Sequence, residues 1–208
     1  MAEITTLFWD VGGVLLTNGW DRDTRRAAAA HFGLDQGDFE QRHEALVSAL
    51  ETGKLSLDDY LERTVFCQRQ SFSREEFKAF LQEQSQPKPD SLALARELSA
   101  RYAMAAVNNE SLELNLYRIE TFGLREILSA FFSSCFVRLR KPDPAIYRLA
   151  LDVMQKKHDE CCFIDDRPLN LEGARQVGLH VIQFQDVDQL RGELAKLGVA
   201  TTPAVPVT

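Results

Sequence analysis

Apolar positions along the chain keep three rhythms in turn. Residues 4–9 form a short apolar run, which predicts a strand. Four stretches with helical spacing follow. The first covers 21–32, is rich in Ala and Arg, and is closed by Gly33. The second covers 36–50, with Phe39, His43, Leu46, Val47 and Leu50 on one face before Gly53 breaks it. The third, 56–68, opens on Ser56 with early acids, and the fourth, 73–84, on a capping-box pair, Ser73 and Glu76. Beyond Pro87-Lys88-Pro89 helix and strand alternate. Helices are expected at 90–101, 111–131 (interrupted at Gly123), 144–155 and 169–177, and strands at 102–107, 133–137, 161–164 and 180–184. Such alternation predicts an α/β fold, a Rossmann-like doubly wound parallel sheet with helices on both faces. The expected division is a core of 1–17 and 86–200, an all-helical insertion of 18–85 after the first strand, and an extended or disordered tail at 201–208.

Composition narrows the function classes. The 208 residues are 45% hydrophobic and include 13 Phe, enough for a large core. The net charge of -7 disfavours polyanions, so no nucleic acid partner is expected. A small phosphorylated substrate fits, because local positive charge in a pocket outweighs a distant negative field. Cys67, Cys135, Cys161 and Cys162 include no C-x-x-C pair, so they read as free thiols in a reducing cytoplasm. The first strand begins almost at Met1, which leaves no room for a signal peptide, and no apolar stretch is long enough to cross a membrane. A cytoplasmic protein is the expectation.

The candidate chemistry sits where predicted strands end. Asp10 follows the first strand and precedes Gly12-Gly13, a turn whose backbone can approach a ligand closely. Asn108-Asn109 follows the next strand, Lys141 lies in Arg140-Lys141-Pro142-Asp143-Pro144, and Asp165-Asp166 follows the strand at 161–164. In a parallel sheet these ends share one edge. Three carboxylates, one ammonium and side-chain amides suit a divalent cation and a phosphoryl group; hard oxygen ligands favour Mg²⁺. Lys141 would hold phosphate as a point charge, and Asn109 with backbone amides, Gly13 among them, would donate to phosphate oxygens. Trp20, after the Asp10 loop, is a candidate for the substrate pocket, with core packing equally consistent.

These residues resemble the motifs of the haloacid dehalogenase superfamily of hydrolases. The first motif reads Phe8-Trp9-Asp10-Val11-Gly12-Gly13-Val14-Leu15 and the second Val107-Asn108-Asn109; the third matches from Lys141 to Tyr147. The fourth is Asp165-Asp166 with Asn170 and Gly173-Ala174 behind it. The helical insertion is similar to the family's small cap. The motif-one pattern is closest to the sugar-phosphatase type, akin to the phosphatase domain of soluble epoxide hydrolases. The resemblance implies that Asp10 attacks phosphorus to give an aspartyl-phosphate, with Lys141 and Asn109 assisting and Asn108 contacting the phosphate. It implies Mg²⁺ held by Asp10, the Gly12 carbonyl and Asp166, with Asp165 in support.

The chain departs from the pattern at Gly12, where phosphatases of this family carry a second Asp as general acid/base. That help is typically worth about 10²–10⁴ in rate. Glu110, Asp21 and Asp23 are candidate substitutes, and a leaving group that needs little protonation is the other solution. Gly12 also admits two other readings: a dehalogenase displacing halide from carbon, and a low-activity protein that binds metal and phosphate for regulation. The acid pair 165–166 argues against the dehalogenase, since carboxylates beside Asp10 repel an anionic haloacid. His31, His43, His158 and His180 fit no ligand spacing and read as helix-face or surface residues.

Overall fold

The computed structural model describes residues 2–201. Five parallel strands form one sheet, β1 (Thr6–Trp9), β2 (Ala103–Asn108), β3 (Ala130–Ser133), β4 (Cys161–Asp165) and β5 (His180–Gln183), in the order β3-β2-β1-β4-β5. The α/β fold class read from the helix–strand alternation is the observed one. β1 is central, with β2 on one side and β4 on the other, both later in the chain. Leu7 pairs with Met104 on one side and Cys162 on the other. The strand order reverses between β1 and β4, and open α/β sheets bind ligands in the crevice at that point.

Side chains alternate across the sheet. Leu7 and Trp9 of β1, with Met104 and Ala106 of β2, face one layer, built by α5 (Pro89–Ser99), a 3₁₀ turn (Leu124–Glu126) and α10 (Val187–Lys196). Phe8, Ala105, Val107 and Phe163 face the other, built by α8 (Pro144–Met154) and α9 (Pro168–Arg175). Both faces of β1 are closed to solvent, which explains its unbroken apolar run. Between β1 and α5 run four helices, α1 (Arg22–Phe32), α2 (Gln36–Glu51), α3 (Leu57–Thr64) and α4 (Arg74–Glu83). They enclose a separate apolar cluster around Phe39, Tyr60, Leu61, Phe77 and Leu81. Each start is capped as its sequence requires: Asp21, Asp35 and Ser56 accept from backbone N–H groups, and Ser73 with Glu76 forms the full capping box.

Three segments differ from expectation. The helix expected over 111–131 stops earlier: α6 is Leu112–Thr121, Gly123 turns the chain at φ 61°, and β3 begins at Ala130. The strand expected at 133–137 lies three residues upstream, because Phe131 and Phe132 pair with Ala106 and Val107 of β2. Residues 134–137 then form a short helix, α7 (Ser134–Val137). Helix α10 has no counterpart in the sequence reading. Asp186 caps it by accepting from Gln189 N, and Leu190 and Leu194, spaced i,i+4, seal the sheet. No helix among the described residues is long and apolar enough to cross a membrane. The tail expected to be extended lies, beyond Thr201, outside the described residues.

Candidate active site

β1 ends at Trp9, and Asp10 continues its register by donating its N–H to Ile164 O on β4 at 2.8 Å. That pairing fixes the Asp10 backbone beside the end of β4, where Asp165 is the last residue. The side chain then folds back: Asp10 Oδ1 accepts from Val11 N at 2.8 Å and from Lys141 Nζ at 2.9 Å. Asp10 Oδ2 has no partner among the described residues.

Lys141 also donates to Asp165 Oδ2 at 2.6 Å, so one buried ammonium joins two buried carboxylates. Its position is set from β2. Asn109 donates through Nδ2 to Lys141 O and accepts from Lys141 N through Oδ1, both at 2.9 Å. The amide of Asn109 thus holds the lysine loop in place, 32 residues away in sequence. Asp165 accepts from Arg167 N at 2.8 Å and from Asn170 Nδ2 at 3.0 Å to each oxygen. Every Asp165 partner is a donor, as a carboxylate needs.

Oxygen atoms of Asp10, Asp165 and Asp166 lie within 4.8 Å of one another. Burial pushes the Asp10 carboxyl up to about 7 against the pull of Lys141, with Asp165 and Asp166 adding like charge. Burial and then Asp165 also raise Asp166. For Lys141, burial works to lower the value, but the two carboxylates overcome it and hold the ammonium charged. One lysine among three acids leaves negative charge uncompensated. Asp166 Oδ1 is buried with no partner, an orphaned acceptor of the kind a cation satisfies. Gly13 makes room for that carboxylate: its φ is 80°, and a Cβ there would collide with the Asp166 side chain.

Other predicted residues fall differently. Gly12 and Trp20 line the cleft above Asp10, which encloses about 600 Å³ beneath the helical insertion. Asn108 does not reach it: its amide donates to Asn115 Oδ1 at 3.0 Å and accepts from Ser133 Oγ at 2.7 Å, inside the sheet edge. Glu110 lines the cleft, and its oxygens receive Arg118 Nη1 at 3.1 Å and Ser111 N at 2.9 Å. Asp21 is occupied as the α1 cap and Asp23 pairs with Arg26 at 3.2 Å. All three line the cleft, and each accepts hydrogen bonds or an ion pair there.

Several cleft residues had no motif to mark them, Arg118 and His43 among them. Arg118 is the most consequential. It comes from α6, donates Nε to Ser85 Oγ at 2.9 Å and Nη2 to Thr17 O at 3.0 Å, and lies against Gly19. A Cβ on Gly12 would stand 3.5 Å from its Nη1 and 3.1 Å from Asn18 Oδ1. The space beside Gly12 is therefore bounded by a fixed cation and an amide.

Comparison with known proteins agrees with this geometry. Flavin mononucleotide hydrolase 1 of Arabidopsis thaliana, a chloroplast protein, is 26% identical over 199 residues, 95% of this chain and 79% of that one. (S)-2-haloacid dehalogenase 1 of Pseudomonas sp. is 26% identical over 147 residues, 70% of this chain and 59% of its own. A HAD family enzyme of Bacteroides thetaiotaomicron, solved in complex with magnesium and inorganic phosphate, superposes with a TM-score of 0.76. Its identity is 18%, over 90% of this chain and 98% of that one. The strand carrying Asp10 and the helix behind the acid pair both lie within residues 4–178, which match the family model of haloacid dehalogenase-like hydrolases, and the chain belongs to that family of enzymes.

Proposed function

We propose that the protein is a Mg²⁺-dependent phosphatase acting on a small phosphorylated metabolite through an aspartyl-phosphate at Asp10. The observation that carries this is the trio of Asp10, Asp165 and Asp166 around a single lysine, with Asp166 Oδ1 buried and partnerless. That donor set, all hard oxygen, fits Mg²⁺; Asp10, Asp166 and the Gly12 carbonyl would hold it and Asp165 would support it. Bound there, the ion supplies the positive charge that lets an anionic phosphate approach the acids.

The chain's own groups provide the rest. Lys141 holds Asp10 Oδ1, which leaves Oδ2 free and directed at the incoming group. Oδ2 attacks phosphorus, the bond to the leaving oxygen breaks, and that oxygen takes its proton from water. A second water then attacks the phosphorus and gives its proton to the hydroxide left by the first; the bond to Asp10 Oδ2 breaks, which restores the carboxylate and releases phosphate. Raising Asp10 toward 7 makes the metal-free site a poor nucleophile at low pH; neutralising nearby charge makes it a good one. With no acid at Gly12, phosphates with easily departing groups are the favoured substrates.

Asp10→Asn keeps the shape and removes the nucleophile, so turnover of phosphate esters should fall at least about 10³-fold with the fold intact by circular dichroism. An Asn variant at the parental rate would refute the mechanism. The similarity to a haloacid dehalogenase favours a second reading, in which the same Oδ2 displaces halide from carbon. Chloride release from 2-chloropropionate in EDTA, with no phosphate ester hydrolysed in Mg²⁺, would establish it instead. Loss of both activities with Mg²⁺ and phosphate still bound would mark a regulatory binding protein.

A further inference from the structure

We propose that His43 is a substrate-binding residue whose Nε2–H donates to a hydroxyl or carbonyl oxygen on the group esterified to the phosphate. The inference rests on the cleft being the substrate site. His43 lies on α2 and is only 5% exposed, yet it lines the cleft. Its Nδ1 is 2.8 Å from Tyr60 Oη, and Trp20 Nε1 lies 3.1 Å from the same oxygen.

The chemistry of these three groups fixes where the protons are. An indole N–H only donates, so Trp20 gives its hydrogen to Tyr60 Oη. Tyr60 is fully buried, and its single hydroxyl proton has His43 Nδ1 as its acceptor. The opposite arrangement would aim two donors at one oxygen and leave the phenol proton only the Thr64 hydroxyl, which itself donates to Tyr60 O. His43 Nδ1 is therefore the acceptor, and the ring carries its hydrogen on Nε2. That nitrogen has no partner among the described residues and is not among the buried atoms closed to solvent. A nearly buried ring thus presents one fixed, unsatisfied donor to the cleft.

The surroundings favour an uncharged acceptor or a weakly basic oxygen over a second strong anion. Two cations act on His43, and both are engaged by acids: Arg25 forks its Nε and Nη2 onto Glu40 at 2.9 Å each and donates Nη1 to Trp20 O, and Arg140 Nη2 pairs with Glu51. The neutral imidazole reads an oxygen by direction and not by charge.

The test uses the whole protein with Mg²⁺ and compares oxygen-bearing esters, glucose 1-phosphate and flavin mononucleotide, with phenyl phosphate. In His43→Leu the ratio of kcat/KM between the better oxygen-bearing ester and phenyl phosphate should fall about five- to tenfold, mainly through KM, as loss of one neutral hydrogen bond predicts. His43→Gln should restore it, since Oε1 can accept from Tyr60 while Nε2 donates. An unchanged ratio in the Leu variant overturns the proposal. Nitrogen-15 spectra of the histidine ring give an independent readout. Nδ1 should be pyridine-like and Nε2 pyrrole-like, Tyr60→Phe should mix the tautomers, and saturating glucose 1-phosphate should move the Nε2 resonance. A proton on Nδ1, or no shift with the sugar phosphate, refutes the inference. If wild-type protein hydrolysed no ester, the phosphatase reading alone would fall, and the spectra would still decide the role of His43.

Discussion

Single residues carry this site by constraint as much as by chemistry. Asp10 is held at one oxygen and open at the other, and Asn109 acts at a distance by holding both backbone groups of Lys141. Gly13 is required twice, for its φ of 80° and for the room it leaves Asp166. Gly13→Ala should raise the Mg²⁺ concentration for half-maximal activity at least about tenfold, the range typical when a metal ligand is displaced; Gly12→Ala, with its nearest neighbour at 3.1 Å, should raise it far less. Equal effects would show that room for Asp166 is not what Gly13 supplies. His43 adds a pH dependence. Burial, then Arg25, lowers it from 6.5 to about 4. Between those values the unfolded chain binds a proton that the folded one refuses, so stability is full above about 6.5 and declines as pH falls toward 4. Allowing for solvent in the cleft, the loss is about 2 kcal/mol. Asp10 and Asp166, both raised, oppose this trend, so the comparison to make is wild type against His43→Gln in urea unfolding at pH 7 and pH 4.5. Parallel curves would contradict the shift.

Among the elements, α6 does more than cover the sheet. Its Arg118 bonds Thr17 on the segment leaving β1 and Ser85 on the segment returning from α4, the two crossings between sheet and helical insertion. The third arm holds Glu110 in the cleft. One buried guanidinium therefore couples the placement of α1–α4 to the cleft floor. Arg118→Met would strand Glu110 without its partner and should cost about 3–5 kcal/mol, read from denaturant unfolding. Hydrogen exchange should speed up at 17–19 and 85–86 in that variant. Arg118→Lys should recover little, because an ammonium cannot span three acceptors in a planar fork. A loss under about 1 kcal/mol in the Met variant would show that the crossings are held by other contacts. Element types were largely legible in the sequence because caps and periodicity are local. The shift of β3 and the unread α10 were not, since sheet pairing through Phe131 and Phe132 and burial of Leu190 and Leu194 are decided by distant partners.

For the whole molecule, three strand ends from distant parts of the chain meet around uncompensated negative charge. A cation bound only by the folded state should therefore stabilise it. At about 100 times its dissociation constant Mg²⁺ would contribute about 2.7 kcal/mol, a Tm increase of about 5–10 °C for a chain of this size. Differential scanning fluorimetry with Mg²⁺ and with EDTA tests this, and Asp166→Ala should abolish most of the increase. An equal increase in that variant would place the cation elsewhere. The sequence by itself determined the fold class, the four capped helices after β1 and which acids stand at the strand ends, because periodicity, caps and strand-end motifs are written over short spans. Only the tertiary structure decided which amides face the cleft, that Asn108 turns into the sheet edge while Asn109 grips Lys141, and that Arg118 and His43 line the cleft. Those outcomes depend on the direction in which a side chain leaves its helix or strand and on what is packed against it, and no local pattern of residues encodes either.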